Sequence, residues 1–300
     1  MEIRSWYSSS LNLLDEIRFS SYDRVFTSSV KLDERTDYIH AIFHRHGVSL
    51  SYVRYDFDSA SIIIDGRSFG VMDFDSFNLS LERVAIDVTS LSFPEILHLL
   101  RIFKNRAKSF DLIYIQPSEY SQDKSIKNFD RPYASALSDD GVGLYQLPPY
   151  IGYSDNLVTF CFLGWEGHRL GAFLNSDEFY TQELNCLVGV PPFKFGWENK
   201  TFSNNYRYLA EYYRSGVLKF VYAGANDPVY TYNLIDTKYR SSRYEKKNLC
   251  LIPFGTKPAA VSVAMFAINN PSVVLLYDFV EKKKHRTSGK DIVNVWKVAV

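Results

Sequence analysis

The chain has 300 residues, 46% of them hydrophobic, and this length fits one or two globular domains. Lysine plus arginine and aspartate plus glutamate number 34 each, and the resulting net charge of zero argues against the basic surface that bulk binding to nucleic acid requires. It also favours self-association. The 22 tyrosines and 22 phenylalanines predict an aromatic core and an aromatic interface.

The first half of the chain alternates strand and helix patterns. Short apolar runs predict strands at 24–29, 49–57, 83–88 and 111–117, with a hairpin over 61–74. A helix is predicted before Gly47, where glycine ends it, and a second helix begins near Pro94. Residues 118–156 lose this periodicity and are rich in Gly, Pro, Ser and Asp, which indicates a linker or a lid loop.

The second half resumes the alternation. Strands are predicted at 157–164, 183–193, 218–224, 249–254, 273–279 and 293–300, with a helix over 199–216 and another after Pro258. Residues 231–248 give no clear pattern. Alternating strands and helices predict an α/β fold with mostly parallel sheet. Two Rossmann-like units, 1–117 and 157–300, joined by 118–156, fit this pattern, as does one large doubly wound sheet.

The three cysteines and the amino terminus bear on where the protein works. Cys161, Cys186 and Cys250 each lie in an apolar run without a CxxC pair, which predicts buried free thiols in a reducing compartment. The first residues, MEIRSWYSSS, lack the apolar segment of a signal peptide, and no run reaches the roughly 18 apolar residues of a membrane span. A cytoplasmic protein without membrane contact is therefore predicted.

Polar loops follow the predicted parallel strands at the ends where helices begin. In open α/β sheets, ligands bind at these carboxyl ends, where helix amides and the helix dipole favour anions. The candidate ligand-binding residues are Ser28, Ser29, Lys31 and Arg35 after the first strand, Thr89 and Ser90 after 83–88, His168 and Arg169 after 157–164, and Gly255, Thr256 and Lys257 after 249–254. Such a set of glycine, hydroxyl and cationic groups suits a phosphate-bearing ligand.

Ordinary helix capping explains each of these loops as well, with Ser or Thr at the N-cap and Pro at the first helical position. Several specific motifs are missing from the sequence. GTKP lacks the spacing of a P-loop, and neither a GxGxxG dinucleotide motif nor a GxSxG nucleophile elbow occurs. No metal site and no firm cofactor are predicted, although a nucleotide ligand remains an open hypothesis.

Two further patterns are ambiguous. His40 and His44 lie four residues apart with His46 nearby, which is a spacing that a metal site can use. No HExxH motif accompanies them, so an ordinary helix surface is the favoured interpretation. The stretch 194–205 carries Phe195 and Trp197, which could stack on bases, and three asparagines; a loop entering a helix explains it equally well.

The GTKP loop, with the DVTS loop at 87–90 as its counterpart, resembles the CARF and SAVED group of Rossmann-like sensor domains of bacterial anti-phage defence. The resemblance covers two segments of roughly thirty residues each. It implies that Gly255, Thr256 and Lys257 contact a cyclic or linear oligonucleotide, with Asp87, Thr89 and Ser90 in the companion loop. The effector domain that usually accompanies these sensors is not evident in the sequence, and a partner chain could supply it.

Three functional hypotheses follow. The first is a ligand-binding sensor or regulatory subunit for a nucleotide or another phosphate-bearing ligand, acting in an assembly with a protein partner or as a homo-oligomer. The second is an enzyme acting on nucleotides or nucleic acid, with Asp87 or Glu166 as general base or metal ligand. The third is a non-catalytic structural subunit of a protein complex, a role that the aromatic content and the zero net charge suit.

Overall fold

A computed structural model describes residues 1–10, 21–78, 82–120, 138–139, 143–152, 156–284 and 287–300. Within these ranges the helices are α1 (Glu34–Arg45), α2 (Phe93–Lys104), α3 (Gly167–Leu174), α4 (Trp197–Arg214), α5 (Pro228–Tyr244) and α6 (Lys257–Asn269). The strands are β1 (Glu2–Ser10), β2 (Arg24–Ser28), β3 (Ser49–Asp56), β4 (Ser61–Ile64), β5 (Arg67–Gly70), β6 (Val84–Asp87), β7 (Ser109–Ile115), β8 (Glu119–Tyr120), β9 (Ser138–Asp139), β10 (Tyr145–Gln146), β11 (Leu157–Phe162), β12 (Thr181–Gly189), β13 (Leu218–Ala223), β14 (Asn248–Ile252), β15 (Val274–Tyr277), β16 (Glu281–Lys282), β17 (Thr287–Ser288) and β18 (Ile292–Ala299). The protein is mixed α/β, with sheets that are parallel in large part, as the alternating pattern predicted.

The first compact unit comprises Met1–Tyr120 and Lys284–Val300. Its eight-stranded sheet has the order β1-β18-β7-β6-β2-β3-β4-β5. The four central strands, β7, β6, β2 and β3, are parallel, and the strands on both flanks are antiparallel. After β2 the chain moves to β3 on one side, whereas β6 lies on the other side of β2, so the strand order reverses between β2 and β6.

Local sequence explains how the helices of this unit begin. At α2, the Ser92 and Glu95 side chains form a capping box and Pro94 lies in the first turn. At α1, the Asp33 carboxylate caps the helix by accepting from the Arg35 amide. Both helices therefore begin at the carboxyl ends of parallel strands, as the sequence predicts.

The second compact unit comprises Ser121–Lys283, of which only part is described. Five parallel strands have the order β13-β12-β11-β14-β15, and β10 adds an antiparallel strand beside β15. The strand order reverses between β11 and β14. Every residue of β11 is buried, as expected for a central strand covered on both faces. Helix α3 packs on α4, and α5 packs on α6.

The carboxyl-terminal strand lies outside the unit to which the sequence pattern assigned it. Residues 293–300 were expected in the unit 157–300, but β18 pairs antiparallel with β1 and β7 of the first unit. An alternating apolar pattern identifies a strand but not its partner strand, because pairing is decided by contacts distant in sequence. Most of the predicted linker or lid, 118–156, lies outside the described residues; β10 is among the parts that are described.

Residues 231–248, which gave no clear pattern, largely form α5. The Asp227 carboxylate caps this helix through the Tyr230 amide, and Pro228 is its first residue. The buried residues of α5 are Pro228, Thr231, Ile235 and Ser242, and two of these four are polar. The apolar periodicity that indicates a helix is therefore weak.

The cysteine prediction is confirmed: Cys161, Cys186 and Cys250 are buried and unpaired. Burial raises the pKa of all three thiols. Among the described residues, no helix combines the length and the apolar character that a membrane span requires.

Candidate functional site

At the reversal point of the first unit, a buried polar network joins the ends of β2 and β6. The Thr27 hydroxyl donates to Asp87 Oδ2 at 2.9 Å and lies 3.0 Å from His40 Nε2 and 3.1 Å from Ser90 Oγ. Thr27 and Asp87 have no exposed surface, and His40 is half-buried. Burial lowers the pKa of His40, although the charge of Asp87 opposes this shift.

The other polar groups of this network also bond within the protein. Ser90 Oγ accepts from the Ser28 amide at 3.0 Å, Thr89 Oγ1 accepts from the Ile115 amide at 3.0 Å, and Asp87 Oδ1 accepts from the Thr89 amide at 3.0 Å. Ser28, Thr89 and Ser90 are at most 5% exposed. The network connects the strand ends to one another, and these hydroxyl groups are therefore poorly accessible to a ligand.

Among the cationic groups predicted here, Arg35 is buried and Lys31 is exposed. The Arg35 guanidinium bonds both carboxylate oxygens of Asp33 and the carbonyl oxygen of Ile115. Burial opposes ionisation of Asp33, but the hydrogen bonds and charge of Arg35 outweigh it and lower the pKa of Asp33. Lys31 pairs with Asp37 at 2.7 Å on the surface, and Ser29 is exposed.

At the reversal point of the second unit, the loops after β11 and β14 meet backbone to backbone. A Cβ added to Gly164 would lie 2.6 Å from the Phe254 carbonyl oxygen, and one added to Gly255 would lie 3.2 Å from Phe162 Cβ. Such close approach requires glycine. The GTK loop at 255–257 and the loop at 164–169, which were predicted separately, are therefore adjacent.

Arg169 and Asp278 form a buried ion pair beside these loops. The guanidinium donates from Nε and Nη2 to the two Asp278 oxygens, at 2.6 Å each. It also lies 4.5 Å from the centre of the Phe254 ring and 3.8 Å from Glu166 Oε2. Burial opposes the charge of Arg169, but Asp278 outweighs it, and the pKa of Arg169 is raised. The pair joins helix α3 to the carboxyl end of β15, and Phe254, whose ring lies against the guanidinium, follows β14.

Asp278 was missed in the sequence, although a carboxylate directly after the apolar run VVLLY is the same signal used for the other strand ends. The predicted residues around the pair differ in exposure. Glu166 is the N-cap residue of α3 and its side chain is 8% exposed, whereas His168 is exposed on the same helix.

Helix α6 begins at the GTK loop. The Thr256 hydroxyl donates to the Ala225 carbonyl at 2.8 Å and accepts from the Ala259 amide, so it serves as the helix cap. Lys257 is the first residue of the helix and is half-buried. The carboxyl end of β14 thus presents a helix N-terminus and an ammonium group, which together favour an anion.

Two tryptophans and two lysines lie beside the 164–169 loop. The rings of Trp165 and Trp197 meet edge to face with centroids 5.1 Å apart. Lys200 Nζ lies 4.6 Å from the Trp165 ring centre, and Lys194 Nζ lies 5.9 Å from that of Trp197. Phe195, flagged for stacking on bases, is 98% exposed. The two asparagines at 204 and 205 hold the carbonyls of Trp165 and Gly164, so they are structural in this loop.

The histidines weighed as metal ligands do not form a cluster. His40 contacts Thr27, and no group of three or more His, Cys, Asp or Glu side chains suited to a metal ion occurs in the described ranges.

No protein-family model matches the chain, and no curated protein shows significant sequence similarity to it.

Proposed function

We propose that the protein is a ligand-binding sensor or regulatory subunit whose second unit binds a nucleotide or another phosphate-bearing ligand at the N-terminus of α6. The observation that carries the proposal is the meeting of the GTK loop with the 164–169 loop at the point where the strand order reverses. In open α/β sheets this is where ligands bind.

Both units are Rossmann-like in this proposal. The order β13-β12-β11-β14-β15 is that of the first five strands of a doubly wound dinucleotide-binding sheet, read in chain order as 3-2-1-4-5. The parallel strands β3-β2-β6-β7 of the first unit have the order 2-1-3-4.

Because the loops at Gly164 and Gly255 pack tightly against each other, no ligand fits between them. In this proposal the ligand therefore binds outside the two loops, at the first turn of α6.

Charge in this region also supports an anionic ligand. Arg169 is neutralised by Asp278. In this proposal the phosphate meets the dipole of the 13-residue helix α6 and the ammonium group of Lys257 in its first turn. Thr256 caps the helix and orients its first turn. The proposal further takes the ligand to be an oligonucleotide signal and the partner to be an effector, as the sequence resemblance to anti-phage sensors implies.

The geometry does not favour Asp87 as the general base or metal ligand of the enzyme hypothesis. Asp87 has no exposed surface, and both its carboxylate oxygens accept hydrogen bonds from within the protein, so a substrate would have to displace them.

The test is calorimetric titration of nucleoside triphosphates and short cyclic and linear oligonucleotides into the full chain. Removing one phosphate contact at a helix N-terminus should weaken binding, so we expect Lys257→Ala to raise the Kd at least about tenfold. Arg243→Ala is the charge-matched control, because Arg243 is exposed in the last turn of α5, away from the carboxyl edge of the sheet. An unchanged Kd in Lys257→Ala, or no binding across the panel, would refute the site.

A further inference from the structure

In the described ranges, strand β13 is the last strand on one side of the second sheet. Among the described residues it pairs only with β12. The carbonyl of Val217 accepts from the Leu184 amide of β12, and that of Ala223 accepts from the Val190 amide directly after β12. The alternation of a parallel ladder then turns the backbone groups of Leu218, Phe220 and Tyr222 outward. An edge with outward amides and carbonyls is a template for another strand.

An aromatic groove of about 540 Å³ runs beside this edge, between α4 and β13. Phe220 forms its floor and packs on Phe202 of α4, with ring centroids 5.4 Å apart. Tyr206 and Tyr213 of α4 are each 68% exposed at its rim. A strand added to β13 would place its side chains beside Phe220 and cover this groove.

The outer face of α4 has a residue pattern that favours a second copy of this chain as the binding partner. Ser203, Tyr206, Ala210 and Tyr213 recur at the three- and four-residue spacing of a helix-packing seam, small and large in alternation. We call these four residues the α4 seam. A two-fold axis level with Tyr208 would set Tyr206 against Ala210 of a second copy and Tyr213 against its Ser203, so each ring would meet a small residue.

The same axis suits the strands. Tyr208 lies about 9 Å along the helix axis from Arg214, the last residue of α4. The same distance along β13 corresponds to two to three residues from its start, which reaches the level of Phe220. Antiparallel pairing of β13 with its copy about this axis would hydrogen-bond Phe220 to its equivalent through the outward amides and carbonyls.

The spacing of the helices is also compatible. Helix α4 contacts both β12 and β13, so two copies of α4 would lie about two strand spacings, roughly 10 Å, apart. That separation is within the range of about 8 to 10 Å for packed helices.

We therefore infer that the protein forms a two-fold dimer in which β13 pairs with β13 of a second copy and the two α4 seams pack together. Burying Tyr206, Tyr213 and Tyr222, which are 68%, 68% and 49% exposed, would remove roughly 350 Å² from water in each copy. With the paired strands and the groove walls, both copies together reach the roughly 1,000 Å² that a specific interface needs. The four residues of the α4 seam are uncharged, and the groove beside it is lined by one charged residue, Arg214. The chain as a whole has zero net charge.

The experiment is sedimentation velocity of the full chain over a range of concentrations. The wild-type protein should sediment as a species of twice the 34.7-kDa chain mass. Ala210→Tyr, which sets ring against ring, and Tyr206→Ala, which leaves a gap, should each weaken the dimer at least about tenfold. The double variant Tyr206→Ala/Ala210→Tyr swaps the large and small partners across the axis and should return the Kd to within about threefold of wild type.

Tyr244→Ala is the control, since Tyr244 is 91% exposed at the end of α5, outside the α4 seam. Circular dichroism verifies that each variant is folded; if Ala210→Tyr unfolds, the Ser203–Tyr213 pair supplies the same swap. A monomeric wild type, a dimer that both single variants leave intact, or a double variant no better than the singles would overturn the inference.

Discussion

Replacing Asp278 by leucine would leave the Arg169 guanidinium buried without its counter-charge. The Arg169 and Asp278 side chains are 10% and 6% exposed, and their two hydrogen bonds are 2.6 Å long. Breaking a buried ion pair from one side costs about 3 to 5 kcal/mol. Because Glu166 and the Phe254 ring remain near the guanidinium, we expect the lower end, about 3 kcal/mol, for Asp278→Leu.

The double variant Arg169→Met/Asp278→Leu removes both charges together. It should recover at least about 2 kcal/mol relative to Asp278→Leu, because apolar residues of similar volume replace buried ion pairs with little loss. As a control in the same unit, Asp236→Ala removes the pair with Arg240, whose side chain is 78% exposed, and should cost less than about 1 kcal/mol.

The assay is scanning calorimetry together with urea denaturation, since two compact units can unfold in separate transitions. A loss of about 3 kcal/mol should lower the Tm of the affected transition by roughly 10 °C. The reasoning fails if Asp278→Leu costs no more than Asp236→Ala, or if the double variant is as unstable as the two single effects added.

Two further predictions concern packing and pH. Gly167→Ala should destabilise the second unit by at least about 2 kcal/mol, because the new Cβ would lie 2.0 Å from the Asn204 carbonyl oxygen, whereas Gly70→Ala meets no atom within 4 Å and should be nearly neutral in the same urea titration. Burial of His98, reinforced by Arg101, holds its pKa well below the usual value of 6.5, so the unfolded chain binds a proton before the native protein does. Stability should fall as the pH drops below about 6.5, and less steeply in His98→Gln; parallel curves for the two proteins between pH 7 and pH 5 would contradict this assignment.

The sequence predicted much of the fold because strands, helices and their caps depend on neighbouring residues. The run VVLLYDF and the loop GTKP each identify their element without help from the rest of the chain, and the Thr256 cap and Pro258 follow from local chemistry. The same local signals located the polar loops at the carboxyl ends of β2, β6, β11 and β14.

Exposure and partnership were not predictable in this way. The sequence predicts ligand-binding roles for Arg35, Thr89 and Arg169. In the structure each of them forms a hydrogen bond to a residue of its own unit that is distant along the chain, and Arg35 also donates to nearby Asp33. A short polar loop has the same composition whether its side chains face a ligand or a neighbouring strand end. Lys257, His168 and Ser29 have side chains that are at least partly exposed, and ligand contact by these three residues stays a prediction.

The sequence by itself determined an α/β protein with polar loops where strands give way to helices, because these features are set by periodicity and by residues close in the chain. Only the tertiary structure decided that β18 joins the first sheet, that the 164–169 loop meets the GTK loop, and that Asp278 pairs with Arg169. The physical reason is that strand pairing and buried charge pairing are fixed by the joint packing of segments far apart in sequence, and no local pattern records which distant partner each segment meets.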